Sequence, residues 1–290
     1  MSILLATDPL VAPLRPERVN YATGVLLQAE DFRDEQTYHR GRLAMALRHI
    51  AGFGTIAGLR VRAPGAGDNE LEIKVEPGVA LDRYGRLIEI GEPYCIRLAR
   101  WFAAQETGPL RTAIHRKPRT PFDVAVVADV FLSAKDCARG MTPSIASGPF
   151  DALDALVPAR LAEEPQLTLV LRAEGPPADI PTPENHWPAA TASRDDKLAA
   201  VLGSWDTGLT DADDEELDPL FEQVAGTDLS SVLLARVAIP VTLAANAPSE
   251  IRPVLDTAQR PRADNSIRPF IFLPGKWLGR APAAGPLVEP

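Results

Sequence analysis

Proline is the residue that most restricts how this chain can fold. The chain has 28 prolines among its 290 residues, which is about twice the usual share. Proline removes a backbone hydrogen-bond donor and fixes φ, so it is disfavoured inside helices and central strands. Prolines at this density predict many short elements joined by rigid turns. We therefore expect a mainly β chain with a few helices (α+β).

Charge and cysteine content argue against several classes of protein. The formal net charge is −9, whereas a nucleic-acid-binding surface needs a surplus of lysine and arginine, so we expect no nucleic-acid partner. The sequence contains no apolar run of roughly 18 residues, so no transmembrane helix is predicted. The first residues lack the basic region of a secretory signal, which predicts synthesis and assembly in the cytoplasm. Cys95 and Cys137 belong to no metal or redox motif, and we expect both to be reduced and buried.

The composition divides the chain into four parts. Residues 1–20 contain prolines but no hydrophobic period, which predicts an extended N-terminal arm. Residues 21–174 are predicted to form a helix and a β-sandwich-like shell. Residues 175–230, rich in proline and acidic residues, predict an insertion with short helices. Residues 231–290 are predicted to return to the shell as C-terminal strands and a tail.

One amphipathic helix, from about Ala29 to about His49, is the strongest local prediction. Acidic residues fill its first turns and arginines its later turns, an order that complements the helix dipole. Large side chains recur along one side, and we expect this stripe to face the core. The stripe consists of Phe32, Gln36, Leu43, Leu47 and Ile50, with Tyr38 and Met45 beside it.

Alternating apolar and polar residues predict the strands of the shell. A glycine-punctuated turn leads into a strand over residues 52–62, and residues 79–90 form a hairpin with Gly85 at its tip. Phe122–Leu132 is almost continuously apolar, which is typical of a central strand covered on both faces. Further strands are predicted at 71–75, 95–98, 166–172, 232–240 and 269–273, with short helices around Trp101 and over 194–202.

An acidic run is the first candidate for a metal site. Asp211, Asp213 and Glu215 alternate as the ligands of a calcium loop do. Such a loop needs a glycine for its sharp turn, and Glu216 stands at that position. We therefore interpret the run as the solvated start of a helix.

Histidines are the second candidates. His39 and His49 are ten residues apart, and His115 and His186 are isolated, so none of them forms the i, i+4 pair that places two imidazoles on one helix face. Glu35 and His39 do have this spacing, which is more typical of a surface hydrogen bond than of catalysis.

The remaining motifs do not predict catalysis either. The glycine turn Gly52-Phe53-Gly54 follows a helix and precedes a strand, the reverse of the order in phosphate-binding loops. Ser230 and Ser231 have no base near them in the sequence, and neither a G-x-S-x-G nor a Walker motif occurs. We predict no catalytic, cofactor-binding or metal-ligating residue, no cofactor and no enzymatic activity.

One stretch resembles a known family. Residues 21–39, YATGVLLQAEDFRDEQTYH, resemble an uncharacterised baseplate-associated family of phage-tail-like contractile injection systems that carries Y-x-T-G-x-L-L-x-x-x-D-F-x-x-E-Q-x-Y-H. The Gly-Phe-Gly turn, a G-L-x-V strand at 58–61 and a V-x-P-G-x-A-L-D-x-x-G-R-x-I hairpin at 75–88 follow in the same order. Residues 233–237 and 251–253 resemble its closing strand and tail. Tyr84 stands where the family often has cysteine, so no metal or disulfide is implied there.

The resemblance is dense over residues 17–90 and thin over 100–230. It implies that the chain is part of a phage-tail-like contractile particle. The family is distantly similar to the type VI secretion baseplate adaptor, and its shell to the shoulder domains of trimeric phage receptor-binding proteins. The resemblance therefore implies a structural, non-enzymatic adaptor between the baseplate and fibres or an anchoring complex. It also implies a homotrimer whose partners are baseplate or tail-fibre proteins.

This interpretation assigns roles to two regions. Asp31, Glu35 and His39 would hold the helix terminus, and Phe32 and Tyr38 would pack it. Because the arm at residues 1–20 contains several large apolar residues, we expect it to pack on a neighbouring subunit or on another baseplate protein.

Two other functions remain as alternatives. A β-sandwich module that binds carbohydrate or another ligand at the tail tip would show a cluster of exposed aromatic side chains. A hydrolase would need a carboxylate pair, or a nucleophile and a base, converging in one cleft. The four tryptophans are scattered along the sequence, at Trp101, Trp187, Trp205 and Trp277.

Overall fold

The computed structural model describes residues 8–11, 17–65, 71–143, 156–172, 183, 191–203, 217–224, 226–244 and 247–271. These residues form mainly β structure with four α-helices, so the predicted mainly β, α+β class is confirmed. The helices are α1 (Ala29–Ala51), α2 (Leu98–Ala104), α3 (Thr107–Thr112) and α4 (Arg194–Gly203), and a short 3-10 helix spans Pro9–Val11. The strands are β1 (Gly54–Gly58), β2 (Val61–Arg62), β3 (Glu72–Val75), β4 (Gly78–Leu81), β5 (Leu87–Ile90), β6 (Tyr94–Arg97), β7 (Ile114–His115), β8 (Ala125–Pro143), β9 (Leu156–Leu171), β10 (Val232–Thr242), β11 (Val254–Leu255) and β12 (Arg262–Asp264).

Most predicted elements are present, but several differ in extent. Strand β9 begins at Leu156, ten residues before the predicted start at 166. In the predicted strand at 269–273, the described residues form an isolated bridge between Thr55 and Phe270. Leu98, predicted as the end of a strand, is the first residue of α2. The central strand β8 is 19 residues long and continues well beyond the predicted end at Leu132. Within the described ranges, no helix is long and apolar enough to cross a membrane.

Three antiparallel sheets form the shell. One sheet has the order β1-β4-β5 and a second the order β2-β3-β6. The largest has the order β11-β10-β8-β7, with β12 also paired to β10 and β9 also paired to β8. The late strand β10 lies directly beside β8, from Val232 opposite Leu132 to Pro240 opposite Ala125.

The core lies between these sheets. The first nine residues of β8 are all buried, which confirms a central strand covered on both faces. The main core cluster joins the sheets through side chains such as Ile73 on β3, Ile88 on β5 and Val237 on β10. Full burial of one such side chain contributes roughly 1.5–3 kcal/mol. The large side chains of α1 do not belong to this cluster.

Candidate functional site: an exposed helix face

Helix α1 docks on the turn of the β4–β5 hairpin through its smallest residues. Gly41 and Ala44 are the buried residues of the helix. Gly85 forms the hairpin turn with a φ of +84°, and a Cβ added there would lie 2.0 Å from the carbonyl oxygen of Ala44. The two backbones therefore touch, and this close approach determines which face of α1 turns inwards.

The large apolar side chains of α1 are exposed to solvent. Phe32 is 53% exposed, Leu43 59% and Ile50 79%. The prediction that the apolar stripe faces the core is therefore wrong, as is the interpretation that Phe32 packs the start of the helix. Periodicity identifies the stripe, but the face that turns inwards is the one with the small residues Gly41 and Ala44, where the backbone at Ala44 closely approaches the hairpin turn.

The polar residues at the start of α1 act on the helix itself. Asp31 accepts a hydrogen bond from the backbone N–H of Gln28 at 2.7 Å, and a carboxylate at this end also complements the helix dipole. Glu35 Oε1 and His39 Nε2 are 2.9 Å apart, one helical turn from each other. Asp31 thus holds the helix start as predicted, and Glu35 and His39 form the predicted surface hydrogen bond within the helix.

The segment before α1 is exposed as well. Tyr21 is 53% exposed, Val25 56% and Leu26 85%. A single turn holds this segment locally, in which the N–H of Val25 donates to the carbonyl oxygen of Ala22 at 3.2 Å. Large apolar residues in contact with solvent therefore run from Tyr21 into the exposed face of α1.

Residues 8–11 of the N-terminal arm fold back on their own chain. Asp8 accepts hydrogen bonds from Arg86 at 3.2 Å and from Arg40 at 3.4 Å, and Leu10 is only 7% exposed. For residues 8–11 the prediction of an extended arm on a neighbouring subunit is wrong, because these contacts hold them against their own monomer. Residues 1–7 and 12–16 lie outside the described residues.

A second exposed region is the far end of the ribbon formed by β8 and β9, because Ser133 and Cys137 nearer its base are buried. From Ser133 to Pro143, among the described residues, β8 pairs only with β9. At roughly 3.3 Å per residue this two-stranded ribbon extends about 35 Å. Its base is tied to α1 by a 3.0 Å contact between Arg40 and Glu163, whereas Met141 and Leu156 near its far end are 53% and 57% exposed. A two-stranded ribbon is at best marginally stable alone.

The catalytic and metal candidates that lie within the described residues do not converge. His39 and His49 are exposed on α1, whereas His115 is buried on β7 with its Nε2 3.3 Å from the carbonyl oxygen of Arg172. Over the described ranges, no group of three or more His, Cys, Asp or Glu side chains is placed to hold a metal ion. The candidates outside those ranges are Asp211, Asp213, Glu215, Glu216 and His186.

The two serines stabilise a turn. Ser230 Oγ donates to Asp228 Oδ1 at 2.6 Å and accepts a hydrogen bond from Arg86 at 3.0 Å. Ser231 Oγ donates to the backbone carbonyl oxygen of Asp228 at 2.6 Å. These hydroxyls thus contact an acidic turn and an arginine, and the arrangement serves local structure.

The predicted burial of the cysteines is correct for one of them, and one tryptophan lies in the described part of the chain. Both cysteines are free, but Cys95 is exposed and only Cys137 is buried, because the side chain of Cys95 lies on the outer face of β6. Trp101 packs against the core, and its indole N–H donates to the carbonyl oxygen of Leu169 at 2.9 Å. The other tryptophans fall outside the described residues, namely Trp187, Trp205 and Trp277.

Sequence reasoning missed a buried charge network. Asp129 on β8 is fully buried and accepts two hydrogen bonds from Arg236 on β10, at 2.8 and 2.9 Å. Arg172 lies 3.3 Å from the same carboxylate and donates to the backbone carbonyl of Glu222 at 2.6 Å. No local motif signals this network, because its members are far apart in the sequence.

The side chain of Glu222, whose backbone carbonyl accepts the hydrogen bond from Arg172, is also buried. Burial raises the pKa of the Glu222 carboxyl above its usual range, although Arg83 and Arg172 oppose the shift. Perturbed groups of this kind mark active sites or structural ion networks. Here Arg83 donates to the carbonyl oxygens of Asp218 and Leu229, at 2.7 and 3.1 Å. The network therefore ties the segment before β10 to the shell, which is a structural use.

A second buried pair lies beneath α1. Asp82 is fully buried and accepts hydrogen bonds from the N–H of Tyr84 at 3.0 Å and from Arg86 Nε at 2.6 Å. Arg86 also contacts Asp8 and Ser230. This pair joins the hairpin turn to the arm and to the turn before β10.

No protein-family model matches this chain, and no curated protein matches it either.

Proposed function

We propose that this protein is a structural, non-enzymatic component of a contractile phage-tail-like particle. In this role it joins the baseplate to fibres or to an anchoring complex, most simply as a trimer. The resemblance at residues 17–90 suggests the particle, and the exposed face of α1 is the observation that supports an assembly role best.

The exposed face is what a subunit of a larger assembly needs. Soluble monomers rarely expose extensive contiguous apolar surface, whereas the interfaces of permanent complexes bury apolar side chains as a domain core does. Phe32, Leu43 and Ile50 on α1, with Val25 and Leu26 before it, are all more than half exposed. Contact with neighbouring proteins would remove these side chains from water.

The ribbon formed by β8 and β9 supports the same role. The exposed end of β8, from Arg139 to Pro143, spans about 15 Å. Together with Leu156 on β9, which like Met141 is more than half exposed, it offers a surface for a neighbouring protein. Contact there would also compensate for the low intrinsic stability of a two-stranded ribbon.

Co-sedimentation tests this proposal. An epitope-tagged chain is expressed in cells that assemble the particle and in matched cells that cannot, and both lysates are fractionated on a density gradient. We expect the tagged chain to sediment with the particles in the first lysate, to stay near the top in the second, and to be visible on isolated particles by immunogold microscopy. A chain that stays near the top of the gradient in both lysates contradicts the proposal.

A further inference from the structure

The exposed residues of α1 follow a coiled-coil spacing. Along the face opposite Gly41, six positions are separated by four, three, four, three and four residues, which is the spacing of heptad a and d positions. All six side chains are exposed. We call this stripe the α1 seam, and it consists of Phe32, Gln36, His39, Leu43, Ala46 and Ile50.

The seam is preformed. It spans about 28 Å at 1.5 Å per residue, and α1 is already held in place by the contact of Ala44 with Gly85. A partner helix would therefore meet an ordered surface, and less conformational entropy is lost when such a surface binds. Four of the six seam residues are apolar, and the two polar ones, Gln36 and His39, can set the register at some cost in stability.

We propose that the seam is a self-association surface, in which α1 pairs in parallel and in register with α1 of other copies of this chain. Only the number of copies, three, rests on the proposed function. The pairing itself is argued from the seam and from the charges that flank it.

The seam is complementary to itself. In a parallel, in-register pair each layer brings together the same residue from every copy. An amide both donates and accepts hydrogen bonds, so Gln36 can bond to Gln36 of the next copy. His39 keeps its contact with Glu35 of its own chain, at 2.9 Å between Nε2 and Oε1, and its layer is the second polar one. The four remaining layers are apolar.

The flanking charges select the parallel orientation. In a parallel pair, Glu35 of one helix faces Arg40 of the next, and Arg42 faces the apolar Leu47. In an antiparallel pair with the same layers, Arg40 would face Arg40 and Arg42 would face Arg42 at the centre, and such like-charge contacts are unfavourable. Arg40 already contacts Asp8 and Glu163 within its own chain, so Glu35 of a neighbour would join an existing network.

The oligomeric state of the purified full-length chain tests the proposal. Analytical ultracentrifugation over a range of concentrations should show self-association of the wild type. Leu43→Glu and Ile50→Glu should be monomeric at all these concentrations, because each places a carboxylate in an apolar layer. Both residues are exposed in the monomer, so circular dichroism and melting temperature should change little.

Met45→Glu is the matched control. Met45 is also apolar, is 41% exposed and lies on the same helix outside the seam, so this variant should associate as the wild type does. A monomeric wild type, a Leu43→Glu variant that still associates, or a Met45→Glu variant that is equally disrupted would overturn the proposal.

A cysteine cross-link tests the orientation. In a Cys95→Ser background, which removes the exposed native thiol, Ala46→Cys should form an intermolecular disulfide on mild oxidation. Parallel pairing brings the two introduced thiols into the same layer, within the Cα separation of roughly 4.4–6.8 Å that a disulfide needs. An antiparallel pair places Ala46 opposite Gln36, so an associated but uncross-linked variant overturns the parallel arrangement.

The two proposals can fail separately. A wild type that is monomeric when purified but sediments with the particles overturns self-association and leaves the particle role. An oligomer that depends on the seam but never sediments with the particles overturns the particle role alone.

Discussion

The backbone of the hairpin turn at Gly85 touches the backbone of helix α1 at Ala44. A Cβ added to Gly85 would lie 2.0 Å from the carbonyl oxygen of Ala44, whereas real side chains essentially never approach this closely. Ala44 is only 4% exposed. This contact holds α1 on the shell and leaves the seam exposed.

Gly85→Ala should destabilise the protein. The added methyl group must push α1 away, and residue 85 must adopt a φ of +84° that alanine disfavours. We expect a loss of roughly 1–3 kcal/mol, the usual cost of overpacking, measured by urea unfolding. Gly91→Ala is the control, because a Cβ at Gly91 meets nothing within 4 Å. Equal midpoints for the two variants would show that the helix does not dock as described.

Two alanines on α1 should respond in opposite ways. Ala44→Leu overpacks the docked face and should lower the free energy of unfolding by roughly 1–3 kcal/mol. Ala46 is exposed, so Ala46→Leu should leave the monomer intact and strengthen self-association through the seam. Unfolding curves and sedimentation of both variants at the same concentration measure these effects. If Ala46→Leu weakens association, the assignment of Ala46 to the seam is wrong.

Loss of the Asp129 carboxylate should be severe. Asp129→Ala would leave the guanidinium of Arg236, which lies 2.8 Å from the native carboxylate, without this buried partner. Removing one partner of a buried ion pair typically costs about 3–5 kcal/mol. Arg139→Ala, which removes an exposed contact with Glu164, should lower the melting temperature much less, because exposed ion pairs contribute little to stability. Similar melting temperatures for the two variants would contradict the structural role of the buried network.

Glu222→Gln should change how stability depends on pH. Because burial raises the folded-state pKa of Glu222, its contribution to stability is complete below the unfolded pKa, about 4.3, and is lost as pH rises through the folded pKa. The glutamine variant avoids burying a charge, so it should be more stable than the wild type at neutral pH. The difference in the free energy of unfolding between the variant and the wild type should disappear towards pH ~4.

Asp228→Asn serves as the control of opposite sign. Burial alone would raise the pKa of Asp228, but hydrogen bonds from Ser230 and the charge of Lys135 hold it below its usual value. Its contribution to stability is therefore present above the unfolded pKa and lost as pH falls through the folded pKa. The asparagine variant should be less stable than the wild type at neutral pH, with the difference closing in acid. Chemical unfolding at several pH values measures both variants, and matching pH profiles would contradict the assignment.

Local pattern was enough to predict several elements. Helix α1 begins at Ala29 as predicted, because an acidic first turn and a 3.6-residue period are properties of the segment itself. The same holds for the hairpin with Gly85 at its turn and for the central strand β8, where alternation or continuous apolarity indicates a strand and its faces.

The candidate site itself could be predicted only in part. The apolar stripe of α1 is visible in the sequence, and so is its period. Its exposure is not, because the same stripe can face a core or a neighbouring protein. The buried pair of Asp129 and Arg236 is 107 residues apart in the sequence, so no local motif indicates it.

The sequence by itself determined the positions of α1, the hairpin at Gly85 and the start of β10, because such preferences depend on residues a few positions apart. Only the tertiary structure decided which face of α1 is buried. Periodicity states which side chains share a face, but the face that meets the shell is chosen by the closest backbone approach that sterics allow. The backbone at Ala44 makes that approach to Gly85, and Gly41 is the other buried residue of the helix, whereas the larger Phe32 and Leu43 remain on the surface.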